Sequence, residues 1–491
     1  MTKSVHTQLY IDGKWQDSLS GEEFAIYNPA RPNELVGYAA NADSRDVDLA
    51  CDAASAAFSE WSELSYQKRA DYLTKVADYL VEDAQELENR INLFTREHGK
   101  ILREASIEMN RFGDRFFLCA NYAQKLAEEE NLAGPPFDTI LTHQARGPAA
   151  LVVPWNWPIS ILGAKLPQAL IAGNTVVIKP SQNSCLATSL TIGRLAEVLP
   201  KGVVNLLTGS ASRIGDQLLV HKKIKQINFT GSVPVGRHVM RQAAENLVPA
   251  TLELGGNDAG LILQDANLDG AAIQRIYLAS FMSTGQICMA LKRIYVHRSR
   301  YDELVAGLCK IADKQVIGDG LLPETTMGPI NNHNQYKTVM KMIDDAKAAG
   351  ADVRELGQVP DQELYEKGFF QKPTIVLNPD IELSIVKEEQ FGPAVPIVPF
   401  DTEEEAIALA NNSEFGFCSS VWTEDRERAL NIARKIEAGY TYLNGHGPLA
   451  QDARAPFGGF KSSGIGRNLG FDGIRAFQET HAISAPQGWL F

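Results

Sequence analysis

Between residues 150 and 254 short, unbroken apolar runs alternate with helical patterns, and few architectures tolerate that rhythm. The runs are ALVVP (150–154), TVVIKP (175–180), VVNLL (203–207), IKQINF (224–229) and TLEL (251–254). Runs of this length without polar alternation suit strands covered on both faces. The stretches between them, near 159–171, 184–199, 212–220 and 234–246, read as helices. Strands that alternate with helices are joined by right-handed crossovers and lie parallel, so this region predicts a Rossmann-like sheet.

A second alternating block begins near Gly255. IYVHR (294–298), FFQKPTIV (369–376) and VPIVPF (395–400) read as strands, and 301–314, 335–349, 402–411 and 424–437 as helices. The fold class is therefore α/β. Ahead of both blocks, Leu9-Tyr10-Ile11 and Trp15 flank Asp12-Gly13, a hairpin signal. Val47, Ala50, Cys51, Ala54, Phe58 and Trp61 recur at helical spacing, and one longer helix is expected to carry Leu73 through Phe94, ended by Gly99. The tail from about 472 reads as irregular. Its Trp489, Leu490 and Phe491 are expected to pack on another element or subunit, because exposed apolar termini are costly.

Composition excludes several functions. With 44% hydrophobic and 22% charged residues in 491, the chain is too apolar for disorder and long enough for about two to four folding units. A net charge of −13 repels a phosphate backbone, which argues against a nucleic-acid partner. The six cysteines stand far apart, without CxxC or a His pair, so no metal site or disulfide framework is expected, and a reducing, cytoplasmic setting fits. The start MTKSVHTQLYIDGKW has no apolar signal core, and no run approaches the length of a membrane span.

Five segments could carry chemistry. Ser283-Thr284-Gly285-Gln286-Ile287-Cys288-Met289 sets a cysteine after a flexible turn; a nucleophilic thiol there needs part exposure and a lowered pKa, and a buried structural cysteine is the alternative. Glu253 stands alone in the apolar TLEL run before Gly255-Gly256. Burial would tune it toward a general base, whereas backbone amides could equally satisfy it. In PWNWP (154–158), two prolines stiffen a strand-end turn, and Asn156 offers an uncharged amide donor of the kind an oxyanion hole uses; a rigid turn with core tryptophans is the other reading. FTGSVPVG (229–236) runs from a strand into a helix past Gly231 and Gly236, so backbone N–H groups could meet a pyrophosphate, or the segment is a plain turn. Lys179, at another strand end, could reach an adenosine ribose or stay solvated.

In one order, PWNWP, AGNTVVIKPS, FTGSxxVG, LELGG, GQIC, EEQFGP and PFGGFKSSGIGR span nearly the whole chain. Together they resemble the aldehyde dehydrogenase superfamily, in its non-phosphorylating NAD(P)-dependent branch, over roughly residues 8–485. The resemblance implies an NAD(P)-binding domain (1–122 and 146–254), a catalytic domain (255–471) and a small β extension (123–145 and 472–491) that joins a homodimer or homotetramer. It implies Cys288 as nucleophile, Asn156 with the Cys288 N–H as oxyanion donors, and Glu253 as the base that activates water against a thioester. Cofactor contacts fall on Trp155, Lys179, Ser181, Gln182, Gly231, Ser232, Val235, Glu389 and Phe391, with Lys165 as a secondary member of the site.

Two departures from the family pattern bear on this. Gln182 replaces a common Glu, which leaves NAD and NADP both open; Asn468 replaces a Glu, which leaves Glu253 as the sole base. Trp157, Ser160, Ile161, Ala164, Ile287, Met289 and Phe457 are expected to line the substrate tunnel, with a polar contact from His446 as a further option. That wall favours a medium-sized apolar or aromatic aldehyde, and the sequence displays no arginine pair for a carboxylated semialdehyde, which stands as the alternative. A cysteine esterase, a CoA-acylating enzyme and a non-catalytic scaffold are the competing readings. The presence of Cys288, Glu253 and Asn156 together weighs against the scaffold.

Overall fold

The computed structural model describes residues 4–491. The five apolar runs form the parallel centre of an eight-stranded sheet, in the order Ala250–Glu253, Gln226–Thr230, Ala149–Val152, Val176–Lys179 and Val204–Leu206. Antiparallel strands close its edges: Gly464–Ile465 on one side, and the hairpin Leu9–Ile11 with Lys14–Gln16 on the other. Asp12 and Gly13 turn that hairpin at φ 50° and 75°, the positive values a tight two-residue turn needs.

Ala149–Val152 comes first in the chain yet lies in the middle. The chain builds outward on one side, then returns to lay Gln226–Thr230 on the other. A crevice opens beyond the carboxyl ends of the strands at such a reversal. The register sets Lys179, Val152 and Phe229 abreast there, with Glu253 beside Thr230.

Leu254-Gly255-Gly256 leads directly into the second sheet. Its seven strands run in the order Asp352–Glu355, Thr374–Leu377, Ala394–Phe400, Leu291–His297, Asp258–Ile262, Cys418–Trp422 and Tyr440–Leu443. All are parallel except the first. The first sheet thus offers its carboxyl ends to the site, and the second offers the amino ends of Asp258–Ile262 and Leu291–His297. Each sheet has its own apolar core.

Several expectations need correction. The long helix through Leu73 and Phe94 is two, Tyr66–Tyr79 and Ala84–His98, because Asp83 caps the second by accepting from the N–H groups of Gln85 and Glu86. Gly99 does end it, at φ 93°. The strand expected from 369 begins only at Thr374, after Pro373, while Phe369 stacks on His333 and Phe370 enters the core. The tail is not irregular: Gly470–Arg475 is helical, and Gln478–Pro486 pairs antiparallel with Phe137–Ala145, which also pairs Glu130–Leu132. Its pattern gave no signal because most of its residues are exposed. Trp489 and Phe491 are 75% and 51% exposed, so the packing expected for them is not found within the chain. Among the described residues no helix is long and apolar enough to cross a membrane.

Candidate active site

The PWNWP turn follows the central strand Ala149–Val152, and Pro158 opens the helix Pro158–Gly163. The carbonyl of Asn156 accepts from His98 Nε2 at 2.8 Å and Lys100 Nζ at 3.1 Å. Lys100 pairs with Glu108, both side chains fully buried. The other oxygen of Glu108 accepts from the N–H groups of Ile159 and Ser160 at 2.9 Å each, so a carboxylate satisfies the orphan donors at the helix start. Burial, then the Lys100 charge, holds His98 well below the ordinary imidazole range, and its Nδ1 accepts from the Lys100 N–H at 3.2 Å. A neutral ring that donates through Nε2 fits both bonds. Asn156 Nδ2 donates to the Gln286 carbonyl at 3.0 Å, which spends one of its two amide hydrogens.

The cysteine loop is held differently. After the Asp269-capped helix Gly270–Phe281, Ser283, Thr284 and Gly285 take φ values of 53°, 57° and 70°. Left-handed backbone at the two side-chain-bearing residues costs about 1–2 kcal/mol each. A Cβ on Gly285 would stand 2.2 Å from the Gly392 carbonyl, and one on Gly256 would stand 2.7 Å from the Cys288 carbonyl. Both glycines therefore permit close approach of neighbouring backbone. The Ser283 N–H donates to Glu104 at 2.7 Å, and Lys292 Nζ donates to the carbonyls of Ile287 and Cys288 at 2.7 Å each. All six cysteines are free, and four are buried; Cys288 is half-buried at the cavity. The lowered thiol pKa expected from sequence is absent: burial pushes the Cys288 thiol up, Lys292 opposes this, and Glu253 adds to it.

Glu253 ends its strand with Oε2 accepting from Thr230 Oγ1 at 2.9 Å and lying 3.5 Å from Lys165 Nζ. Its Oε1 is buried and has no partner among the described residues. Lys165, fully buried, also donates to Asn228, whose amide donates to Asn468 Oδ1 at 2.6 Å. Asn468 is thus wired to the site as an amide, which carries no acidic proton.

Asn156, Glu253 and Cys288 wall one cavity. Trp157, Ser160, Ile161, Ala164, Ile287, Met289 and Phe457 line it as well. His446 does not: it is buried beside Asp258, 3.4 Å away, so it is neither a tunnel contact nor solvated. Sequence reasoning missed a wall from the helix Leu102–Ala120, namely Ile107, Arg111, Phe112 and Arg115, and the loop residues Leu449 and Gln451. The spacing of Ile107, Arg111 and Arg115, one helical turn apart, was the available signal. The arginine pair that the sequence did not display is therefore present.

A second crevice lies at the strand ends, lined by Lys179 and Val235 together with Val152 and Phe229. Asp216 and His238, paired at 2.6 Å, join it and were not foreseen. Lys179 has no acidic partner among the described residues, and burial pushes its ammonium down to about 8. The Gly231 N–H is tied to the Glu253 carbonyl at 3.1 Å, and Ser232 stands at the N-terminal boundary of the helix Val233–Glu245 without a side-chain capping bond. Ser181 and Gln182 follow Lys179 outside this lining, Gln182 exposed. The Trp155 and Phe391 rings meet edge to face, centroids 5.4 Å apart, and so join PWNWP to EEQFGP. Glu389 is turned inward: Oε1 accepts from the Gly256 N–H at 3.0 Å and lies 3.4 Å from Lys292, and burial pushes its carboxyl up against the pull of Lys292.

Comparison with known proteins places this geometry. Residues 15–483 match the family model for the aldehyde dehydrogenase family. Aldehyde dehydrogenase 1A1 of Gallus gallus is 35% identical over 497 residues, covering 99% of this chain and 95% of that one. Retinal dehydrogenase 2 of Gallus gallus is 35% identical over 491 residues, covering 98% and 92%. The crystal structure of betaine aldehyde dehydrogenase from Staphylococcus aureus with NAD+ superposes with a TM-score of 0.91 at 31% identity, over 99% of this chain and 95% of that one.

Proposed function

Because the chain belongs to the aldehyde dehydrogenase family, whose members are NAD-dependent enzymes, we propose how its own residues oxidise an aldehyde to a carboxylate. The strand-end crevice suits a dinucleotide: Lys179 is a buried cation lacking an acidic partner, and the helix Val233–Glu245, whose first turn has no side-chain cap, begins at the crevice wall. Trp155, Gly231, Val235 and Phe391 complete the proposed contacts, and Ser181, Gln182 and Glu389 join them at the ribose ends. NAD or NADP bound there supplies the hydride acceptor.

Cys288 adds through sulfur to the aldehyde carbon. The resting thiol is protonated, so its proton must leave as the bond forms, and the unpartnered Glu253 Oε1 is the acceptor we assign. The remaining Asn156 amide hydrogen and the Cys288 N–H receive the oxyanion, neutral donors that leave the thiolate unquenched. Loss of hydride leaves an acyl thioester on Cys288; Glu253, after passing the first proton to solvent, takes a proton from the water that hydrolyses the thioester, and the sulfur leaves as thiolate and is reprotonated. The cavity wall of Trp157, Ile161, Ala164, Ile287, Met289 and Phe457 suits a medium-sized apolar or aromatic body. The sheet formed by Glu130–Leu132, Phe137–Ala145 and Gln478–Pro486 leaves Phe137 and Ile483 exposed, which supports its proposed use as the homo-oligomer contact.

One observation carries this reading: thiol, amide and a carboxylate with a free buried oxygen share one cavity. Cys288→Ala is expected to abolish the rise in reduced-nicotinamide absorbance while NAD binding stays measurable by fluorescence quenching. Glu253→Gln is expected to lower steady-state turnover by about 10²–10⁴-fold. Near-normal aldehyde oxidation by Cys288→Ala would refute the assignment.

A further inference from the structure

Ile107, Arg111 and Arg115 repeat every fourth residue on the helix Leu102–Ala120, so one face of that helix forms a wall of the substrate cavity. At 1.5 Å per residue, the two arginines start about 6 Å apart along the axis, close enough to converge on one small anion. Their surroundings do not explain them. Among the described residues neither forms an ion pair, and the only side-chain hydrogen bond of the two runs from Arg115 Nη2 to Gln451 Oε1 at 3.5 Å. Arg115 is half-buried against Gly163 and Phe112, and Arg111 is exposed.

Two like charges one turn apart repel each other, and a guanidinium drawn out of water without a counter-charge is unfavourable. Burial indeed holds Arg115 below the ordinary guanidinium range; Cys119 and Asp114 oppose this, and Arg111 adds to it. The acid on the cavity wall, Glu253, is engaged through Oε2 by Thr230 and Lys165 and forms no ion pair with either arginine. Two arginines on the wall of a largely apolar cavity thus form a fork without an anionic acceptor, and the fork geometry of guanidinium matches a carboxylate.

We propose that the substrate is an aldehyde with an apolar or aromatic body whose far end carries a carboxylate, received by Arg115 with Arg111 at the mouth. This rests on the aldehyde-oxidation reading above and narrows it: the apolar wall grips the middle of the molecule, and the ends differ in charge. The same placement revises the sequence-based preference for uncharged aldehydes.

Matched substrates test it. The unmodified enzyme is assayed with para-carboxybenzaldehyde against para-methylbenzaldehyde, and with succinic semialdehyde against butanal. The carboxylated member of each pair is expected to have the higher kcat/KM by about tenfold or more, the worth of one charge-assisted hydrogen bond. Arg115→Met is expected to shrink that preference about tenfold, chiefly by raising KM for the carboxylated member. Arg115→Lys should restore part of the preference, and Arg111→Met should reduce it less than Arg115→Met does. Equal or better oxidation of the uncharged members by the unmodified enzyme overturns the proposal, as does an equal loss on both members in Arg115→Met and Arg111→Met. If uncharged aldehydes are oxidised and carboxylated ones are not, only this inference fails. If no aldehyde is oxidised, the parent reading fails with it.

Discussion

The loop that carries Asn156 and the loop that carries Cys288 wall the same cavity, and both are gripped by buried charge, but only the second is also held by strained backbone. Buried charge from another part of the chain fixes the first: Lys100, Glu108 and His98 grip its carbonyl and the amides that follow. On the second, Glu104 and Lys292 bond to main-chain groups, and backbone geometry adds three successive left-handed residues and two glycine contacts without room for a methyl group. The difference fits the role proposed for each loop. An amide donor works only if it does not reorganise when charge develops, so rigid electrostatic anchoring behind it is useful. A thiol must stay free of strong partners until substrate arrives, so its loop is positioned through main chain.

If that contrast is right, the largest effect comes from removing the charge anchor. Lys100→Met leaves Glu108 buried without its cation, and is expected to destabilise the protein by about 3–5 kcal/mol in chemical denaturation and to lower kcat through the Asn156 loop. A loss of stability with unchanged kcat would mean that the pair supports the fold and not the donor.

Gly285→Ala probes the other loop. Its Cβ would collide with the Gly392 carbonyl at a position already at φ 70°, an overpacking cost of about 1–3 kcal/mol. Here kcat should fall more than stability does, read from paired activity and melting measurements, because the strain relaxes by shifting the thiol. Equal falls would show the loop to be structural only.

The smallest effect comes from Glu97, in the last turn of the helix Ala84–His98, whose carboxyl bonds to the helix Leu186–Ala196 and to neither loop. It accepts from the N–H groups of Leu186 and Ala187 at 2.7 and 2.9 Å, and burial raises its carboxyl from 4.5 to about 8. A folded-state value above the unfolded one gives stability that is full below the unfolded value and lost as pH rises through the folded one. The melting temperature of the wild type relative to Glu97→Gln should therefore decline between pH 4.5 and about 8, while kcat stays unaffected. A flat difference across that window would contradict the buried protonated carboxyl.

The parallel strands were legible because burial on both faces writes itself into consecutive residues, as in Val176–Lys179, where every position is buried. The thiol, the amide and the carboxylate were legible because each sits in a short motif with its own turn chemistry. The strand Gln478–Pro486 was not, since its exposed residues carry no alternation and its pairing lies wholly with Phe137–Ala145. Nor was the break at Asp83, where a cap outweighs continuous apolar spacing.

Residue order alone was enough to specify the alternating architecture and the hairpin at Asp12-Gly13, and to single out Cys288, Asn156 and Glu253 as candidates, because those depend on neighbours a few positions apart. Folding in three dimensions settled that Glu108 secures the amides of Ile159 and Ser160, that Glu104 holds Ser283, and that Arg111 and Arg115 face the cavity. Glu108 and Ser160 stand 52 positions apart, and Glu104 and Ser283 179 apart. A contact at that range leaves no periodic mark in a chain, since it exists only once packing has brought distant segments together.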